Sequence, residues 1–289
     1  MAQRPRSRRG RIITLSSDVG SAYAAQMKAA LLAGGVGPDR IVDLSHDLPA
    51  HRIEEAAFLL REMARAFPRN SVHVAVVDPG VGGRRRPIAI ETRAGPILVG
   101  PDNGVLFPLA SELGVRRAYR IDSAKLGRPP RVGTTFDGRD IFAPAAALVA
   151  QGRRASLLGP ATSPKSYAVP EPASVPDGAR GEVVHSDRFG NLITNIPTHW
   201  VDRGVRRVEL TAGRTRRRPI AFVTSYESLG RGTLGALGSS FGLVEVAVGE
   251  GRASDRLRTG VGSRVILTWR RRSATRSEKA NSARPRKRR

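Results

Sequence analysis

The sequence predicts an α/β protein: an N-terminal α/β domain with a mainly parallel sheet, followed by a smaller C-terminal antiparallel β domain of barrel-like form. Three observations lead there. Apolar runs alternate with amphipathic stretches from Arg11 to about residue 160, a proline-rich segment without periodicity follows, and beyond residue 180 only short apolar runs and glycine-bearing turns remain. A chain of 289 residues also suits two domains, each able to bury its own core. The expected divisions are a basic tail over 1–10, the α/β domain over 11–160, a linker over 161–180, the β domain over 181–269 and a second basic tail over 270–289.

The first strand is read in RIITLSSD and the first helix in AYAAQMKAALLAG; RIVDLSH and VHVAVV supply two more strands. Between those two, Ile53 to Phe67 is the clearest helix, with Ile53, Ala56, Ala57, Leu60, Met63, Ala64 and Phe67 on one face and charged residues elsewhere. Strands are also expected at RPIAIET and GPILVGP. IFAPAAALVAQG reads as a helix in which Pro144 falls in the first turn, where a missing N–H costs nothing. Residues 159–180 contain five prolines and read as a linker. Beyond it, GEVVHSD, NLITNI, RRVELTAG, PIAFVTS, LVEVAVGEG and SRVILTW read as strands with no long helix among them.

Composition narrows the chemistry. With no cysteine, disulfides, thiolate catalysis and Cys-based metal sites are excluded. No segment approaches the roughly 18 consecutive apolar residues of a membrane helix, and no apolar run backs the basic N-terminus, so the cytoplasm is the expected compartment and no membrane partner is expected. The net charge of +24 points to polyanions, but residues 1–11 hold five Arg and residues 270–289 hold ten Lys or Arg against one Glu, so the ends carry 14 of those charges. Both tails are expected to be disordered, and nucleic-acid association through them is one possible role.

Two strands of the expected parallel sheet end in carboxylates. VHVAVV runs into Asp78 of DPG and the first strand into Asp18 of SSDVG, which puts both at the carboxyl rim where ligands of open α/β sheets bind. Neither a dinucleotide fingerprint nor a phosphate-binding P-loop is present. The five histidines, His46, His51, His73, His185 and His199, have no metal-ligand spacing, so no metal and no cofactor are expected. In TTFDGRDIF, Asp140 is placed to cap the following helix.

Six segments together resemble one family, the SAM hydroxide adenosyltransferases, relatives of the fluorinases and chlorinases: IVDLSHDLPAHRIEEAAFLL, VDPGVGGRRRPIAIET, VGPDNGVL, TTFDGRDIFAPAAAL, SDRFGNLITNI and SSFGLVEVAVGEG. They occur in the family's order, and the resemblance spans about residues 11–268, leaving out only the tails. The resemblance implies hydrolysis of S-adenosyl-L-methionine (SAM) to adenosine and methionine, SAM being substrate and not cofactor, in a homotrimer whose sites form between the N-domain of one subunit and the C-domain of the next. It implies catalytic roles for Asp78, for Arg85 among Arg84–Arg86, and for Asp137. This last residue stands where the family has a histidine, in Phe136-Asp137-Gly138-Arg139-Asp140. Substrate contacts are implied for Asp18 and Asp78 at the ribose, for Asn191 at the adenine, and for Tyr226, Ser240, Glu245 and Glu250. The link from Gly20 to Tyr23 is two residues shorter than in the family and lacks its Asp. These two departures leave a weakened adenosine- or SAM-binding protein as one alternative; kinship with the fluorinases leaves a SAM-dependent halogenase as another, although the extra loop that fluorinases carry is absent between PIAIET and PILVGP.

Overall fold

A computed structural model describes residues 10–127, 133–201 and 204–269. It divides into two compact units, Met1–Val169 and Pro170–Arg289. The basic tails expected over 1–10 and 270–289 lie outside the described residues, Gly10 apart.

The first unit is built from β1 (Ile13–Ser17), α1 (Gly20–Ala33), β2 (Ile41–Ser45), α2 (Ile53–Ala64), β3 (Val72–Val76), β4 (Pro87–Thr92), β5 (Ile97–Pro101), α3 (Phe107–Leu113), β6 (Val115–Arg120), α4 (Ala143–Ala150) and β7 (Ala161–Thr162). Its sheet has the order β2-β1-β3-β5-β4-β6-β7. Strands β2, β1, β3 and β5 run parallel, and β4 turns back between β5 and β6, so five of the seven strands point one way. The mainly parallel expectation holds. Alternation along β3 shows how the sheet is covered on both faces: Val72, Val74 and Val76 pack with Met27 and Leu31 of α1 and with α4, while Ala75 and Val77 pack with Ala56 and Leu60 of α2 and with Leu109 of α3. Leu60 is wholly buried, and truncating it to alanine should cost about 2–5 kcal/mol.

Helix α2 ends at Ala64, three residues earlier than its apolar pattern suggests. The chain tightens there, with Phe67 N–H donating to the Ala64 carbonyl, because Pro68 disfavours helical geometry at the residue before it. The same helix also buries Glu55, whose carboxylate lies 3.0 Å from Arg52 Nε.

The second unit comprises β8 (Ala173–Val175), β9 (Gly178–Ser186), β10 (Leu192–Pro197), β11 (Arg207–Ala212), β12 (Thr215–Phe222), β13 (Leu234–Gly238), β14 (Leu243–Val248), α5 (Ala253–Leu257) and β15 (Arg264–Thr268). The order β10-β14-β13-β12-β11-β15-β9 closes on itself through pairing of β9 with β10, a seven-stranded barrel around Val183, Leu192, Ile196, Leu210, Ala236, Val246 and Leu267. The barrel is mixed rather than wholly antiparallel, since β12 and β13 run parallel. Their crossover, residues 223–233, carries Tyr226.

Candidate active site

The first unit gathers Asp78, Arg85 and Asp137 into one buried cluster. Asp78 follows β3 at the carboxyl rim, and Arg85 returns seven residues later, just before β4. Arg85 Nε donates to Asp78 Oδ1 at 3.0 Å and to Oδ2 at 2.8 Å, and its Nη2 bonds both Asp78 and Asp137. The side chains of Asp78, Asp137 and Arg85 are 5%, 2% and 11% exposed, so a guanidinium and two carboxylates of formal charge −1 stand largely out of water. Burial works against the Arg85 charge, but hydrogen bonds to Asp78 and Asp137 outweigh it and hold the guanidinium above its ordinary pKa. The Phe142 ring lies 5.5 Å from the guanidinium carbon and closes one side.

Local sequence explains how two distant loops meet. Gly82 has φ +75°, and a Cβ there would stand 2.8 Å from the Thr134 carbonyl oxygen, so only glycine lets the 78–86 loop approach the 133–137 segment this closely. Asp137 then opens a π-helical turn, Gly138–Phe142, that leads into α4. Such wide turns rotate side chains out of the regular helical register and are common at functional sites. A Cβ on Gly138 would meet the Phe136 ring at 2.9 Å and Met27 Sδ at 3.1 Å. Asp140 does not cap α4 as its position suggested. It lies inside the π-turn and takes a 2.7 Å hydrogen bond from Arg139 Nε.

Of the three consecutive arginines only Arg85 enters the cluster. Arg84 is exposed, and Arg86 binds Asp102 Oδ2 through Nε at 2.9 Å and the Ser163 carbonyl at 2.8 Å, a tie between loops of the same unit. Asp18 stands one strand away, its N–H on the Val76 carbonyl at 3.3 Å and its carboxylate accepting from His51 N–H at 3.4 Å. Tyr23, after the shortened turn, packs edge-on against Phe136 at 5.3 Å.

Two supports were not singled out from the sequence. Asn103 Nδ2 donates to the Val77 carbonyl at 2.7 Å and its Oδ1 accepts from Val105 N–H at 3.1 Å, which fixes the peptide that precedes Asp78. Ser17 Oγ lies 2.7 Å from His46 Nδ1, and His46 Nε2 lies 3.1 Å from Asp43, so the turn bearing Asp18 is braced from β2. The signal for Asn103 was its Pro-Asp-Asn-Gly turn at the end of a neighbouring strand.

In the barrel, Asp187 organises the Phe189-Gly190-Asn191 turn: Oδ1 accepts the N–H groups of Phe189 and Asn191, each at 2.9 Å, and Oδ2 accepts from Asn191 Nδ2 at 3.1 Å. Phe189 is left 67% exposed. Glu245 pairs with Ile193 across β10 and β14, is buried, and accepts from the Tyr226 hydroxyl at 2.5 Å. Burial pushes the Glu245 carboxyl up; the Tyr226 hydrogen bond and His185 pull it down, and Asp187 adds to the rise. The phenol of Tyr226 is raised by burial, by its bond to Glu245 and by the charges of Glu245 and Asp187. Asn191, Tyr226 and Glu245 therefore form one polar patch. Ser240 and Glu250 lie elsewhere: both are exposed, one before β14 and one after it, separated by a strand of about 20 Å, with Glu250 3.4 Å from Arg231. Among the described residues, no group of three or more His, Cys, Asp or Glu is placed to hold a metal ion.

With this geometry in hand, similarity to known proteins identifies the lineage. Residues 13–159 match the SAM hydroxide adenosyltransferase N-terminal domain and residues 181–266 the C-terminal domain of the same family. A (R)-S-adenosyl-L-methionine hydrolase from Thermus thermophilus is 38% identical over 257 residues, covering 85% of this chain and 94% of the relative. One of the same name from Salinispora tropica is 38% identical over 234 residues, covering 79% and 86%. A fluorinase from an Actinoplanes species is 29% identical over 214 residues, covering 64% and 71%. The crystal structure of a conserved protein from Thermotoga maritima superposes with a TM-score of 0.80 at 30% identity, covering 89% of this chain and all of that one. The chain belongs to the SAM hydroxide adenosyltransferase family.

Proposed function

We propose that this protein hydrolyses SAM to adenosine and methionine. The observation that carries the reading is the buried Asp78–Arg85–Asp137 cluster at the carboxyl rim of the sheet; the curated relatives named SAM hydrolase support it. A sulfonium leaves as a neutral thioether, so the reaction needs no acid on the leaving group. It needs a water held in line with the ribose C5′. The C5′–O bond forms as the C5′–S bond breaks, the bonding pair departs with sulfur, and the water's proton passes to a carboxylate. In this reading Asp137 takes that proton, Arg85 orients the nucleophile, and Asp78 holds Arg85 and the sugar. The cluster's formal charge of −1 in poorly solvated surroundings favours a cationic substrate over a neutral product.

Asp18 is proposed to bind the ribose with Asp78, Asn191 the adenine, and Tyr226, Ser240, Glu245 and Glu250 the rest of the substrate surface. The assembly proposed is a homotrimer in which an N-domain and a neighbouring subunit's barrel share each site, with residues 11–160 and 181–269 as the two domains and 161–180 joining them. Its compartment is proposed to be the cytoplasm. None of the described helices is long and apolar enough to cross a membrane. Light scattering of the purified protein tests the trimer.

Incubation with SAM, followed by chromatography of the products, tests the activity: adenosine and methionine in equal amounts are expected, and recovery of intact SAM overturns the reading. Soaked crystals holding uncleaved SAM would instead favour a binding protein. Chloride or fluoride dependence with a 5′-halogenated product would favour a halogenase.

A further inference from the structure

We propose that the β11–β12 hairpin of the barrel is a docking surface for the phosphate backbone of duplex DNA. Between residues 206 and 218 lie six arginines, Arg206, Arg207, Arg214, Arg216, Arg217 and Arg218, against one acid, Glu209. All six are exposed, and among the described residues none has an ion-pair partner. Such a concentration of one sign repels itself unless a polyanion neutralises it.

The backbone is shaped to present this charge. In a regular barrel strand alternate residues face inward, so Arg216, Arg217 and Arg218 should not all reach solvent. The register between β11 and β12 shifts between Leu210 and Ala212, and Arg217 takes a left-handed conformation, φ 44°, with its N–H on Thr211 Oγ1 at 3.1 Å, so that Arg216 and Arg217 both face solvent; Arg218, opposite Leu210, is exposed as well. A bulge formed by a non-glycine residue at positive φ is unfavourable, and here it turns an inward position outward. The hairpin tip packs closely on the end of α5: a Cβ on Gly213 would stand 2.5 Å from the Leu257 carbonyl oxygen, which sets exposed Arg256 and Arg258 beside Arg214.

The chemistry selects the occupant. Guanidinium groups bind phosphate in bidentate fashion. The arginine-bearing stretch 206–218 has no aromatic side chain on which unpaired bases could stack, and no Asn or Gln to read base edges or ribose hydroxyls; Phe222, at the far end of β12, packs against the barrel core. Contact with the backbone of a duplex whose bases are already stacked, without sequence preference, is what remains.

The test is fluorescence anisotropy of the full chain with a labelled 20-base-pair DNA across a salt series. A variant carrying R214Q, R216Q, R217G and R218Q, in which glycine preserves the bulge, is measured beside it, and circular dichroism verifies that both are folded. Binding that weakens steeply with salt is expected, with the variant at least about tenfold weaker at about 100 mM salt and with its slope flatter by about 0.9 for each phosphate that is no longer neutralised. A second variant carrying R214K, R216K and R218K keeps most of the affinity if charge is the cause. Absence of duplex binding overturns the proposal, as does a glutamine variant that binds like the parent, or tighter binding of single-stranded RNA or of anionic lipid vesicles than of the duplex.

Discussion

The two units build polar sites by opposite electrostatic means. In the sheet unit, Asp78 and Asp137 are buried with a guanidinium between them, so removing charge from water is offset by direct ionic hydrogen bonds. In the barrel, Glu245 is equally buried but takes its hydrogen bond from a neutral phenol, and burial pushes its carboxyl up. The first arrangement holds fixed charges ready to act on a reacting centre. The second is suited to contacts made equally in ground and transition states, which is the division of labour that the proposed function gives the two units, turnover to the sheet unit and affinity to the barrel.

The strongest way to break that contrast is to remove the shared cation. Arg85→Met leaves two buried carboxylates facing each other, and it should lower stability by about 3–5 kcal/mol and abolish measurable SAM turnover. Chemical denaturation and product chromatography read the two effects; a stable, active variant would mean that the cluster is not organised by its arginine.

Asp137→Asn keeps shape and removes the proposed proton acceptor, so kcat should fall by about 10²-fold or more with KM nearly unchanged. Asp137→His restores an imidazole at this position and should recover turnover with a new dependence on pH near 6–7. A fall in affinity alone would move Asp137 to the binding role assigned to the barrel.

The units also differ in the sign of their response to acid. Burial lowers His73, on β3, to about 4, so between about pH 4 and 6.5 the unfolded chain binds more protons than the folded one. Stability of the sheet unit therefore rises through that window by roughly 2–3 kcal/mol and is lost as pH falls. Glu245 is raised, so its contribution runs the other way, present below its ordinary carboxylate range and lost as pH climbs past 4.5. Both tryptophans, Trp200 and Trp269, lie in the barrel, whereas helices α1–α4 lie in the sheet unit. Urea unfolding followed by tryptophan fluorescence and by helical circular dichroism should thus show opposite pH trends, flattened by Glu245→Gln and His73→Gln respectively.

The smallest effect expected is that of Tyr226→Phe. It removes the phenol's hydrogen bond to Glu245, worth about 1–2 kcal/mol, and should raise KM several-fold while sparing kcat. A selective fall in kcat would erase the division of labour.

Much of this was legible in one dimension. The alternation in VHVAVV delivered Asp78 to a strand end, the proline at 144 marked the start of α4, and six ordered motifs carried the family and the substitution at Asp137. Periodicity and local turn chemistry are properties of neighbouring residues, so a sequence displays them directly. Which of Arg84, Arg85 and Arg86 turns inward, the bracing of the Asp78 peptide by Asn103, the parallel pairing of β12 with β13, and the outward turn of three consecutive arginines were decided only by the tertiary structure. Each depends on a partner far away in the chain, such as Thr134 against Gly82 or Thr211 against Arg217, whose approach is set by long-range packing and register rather than by the residue's own neighbours.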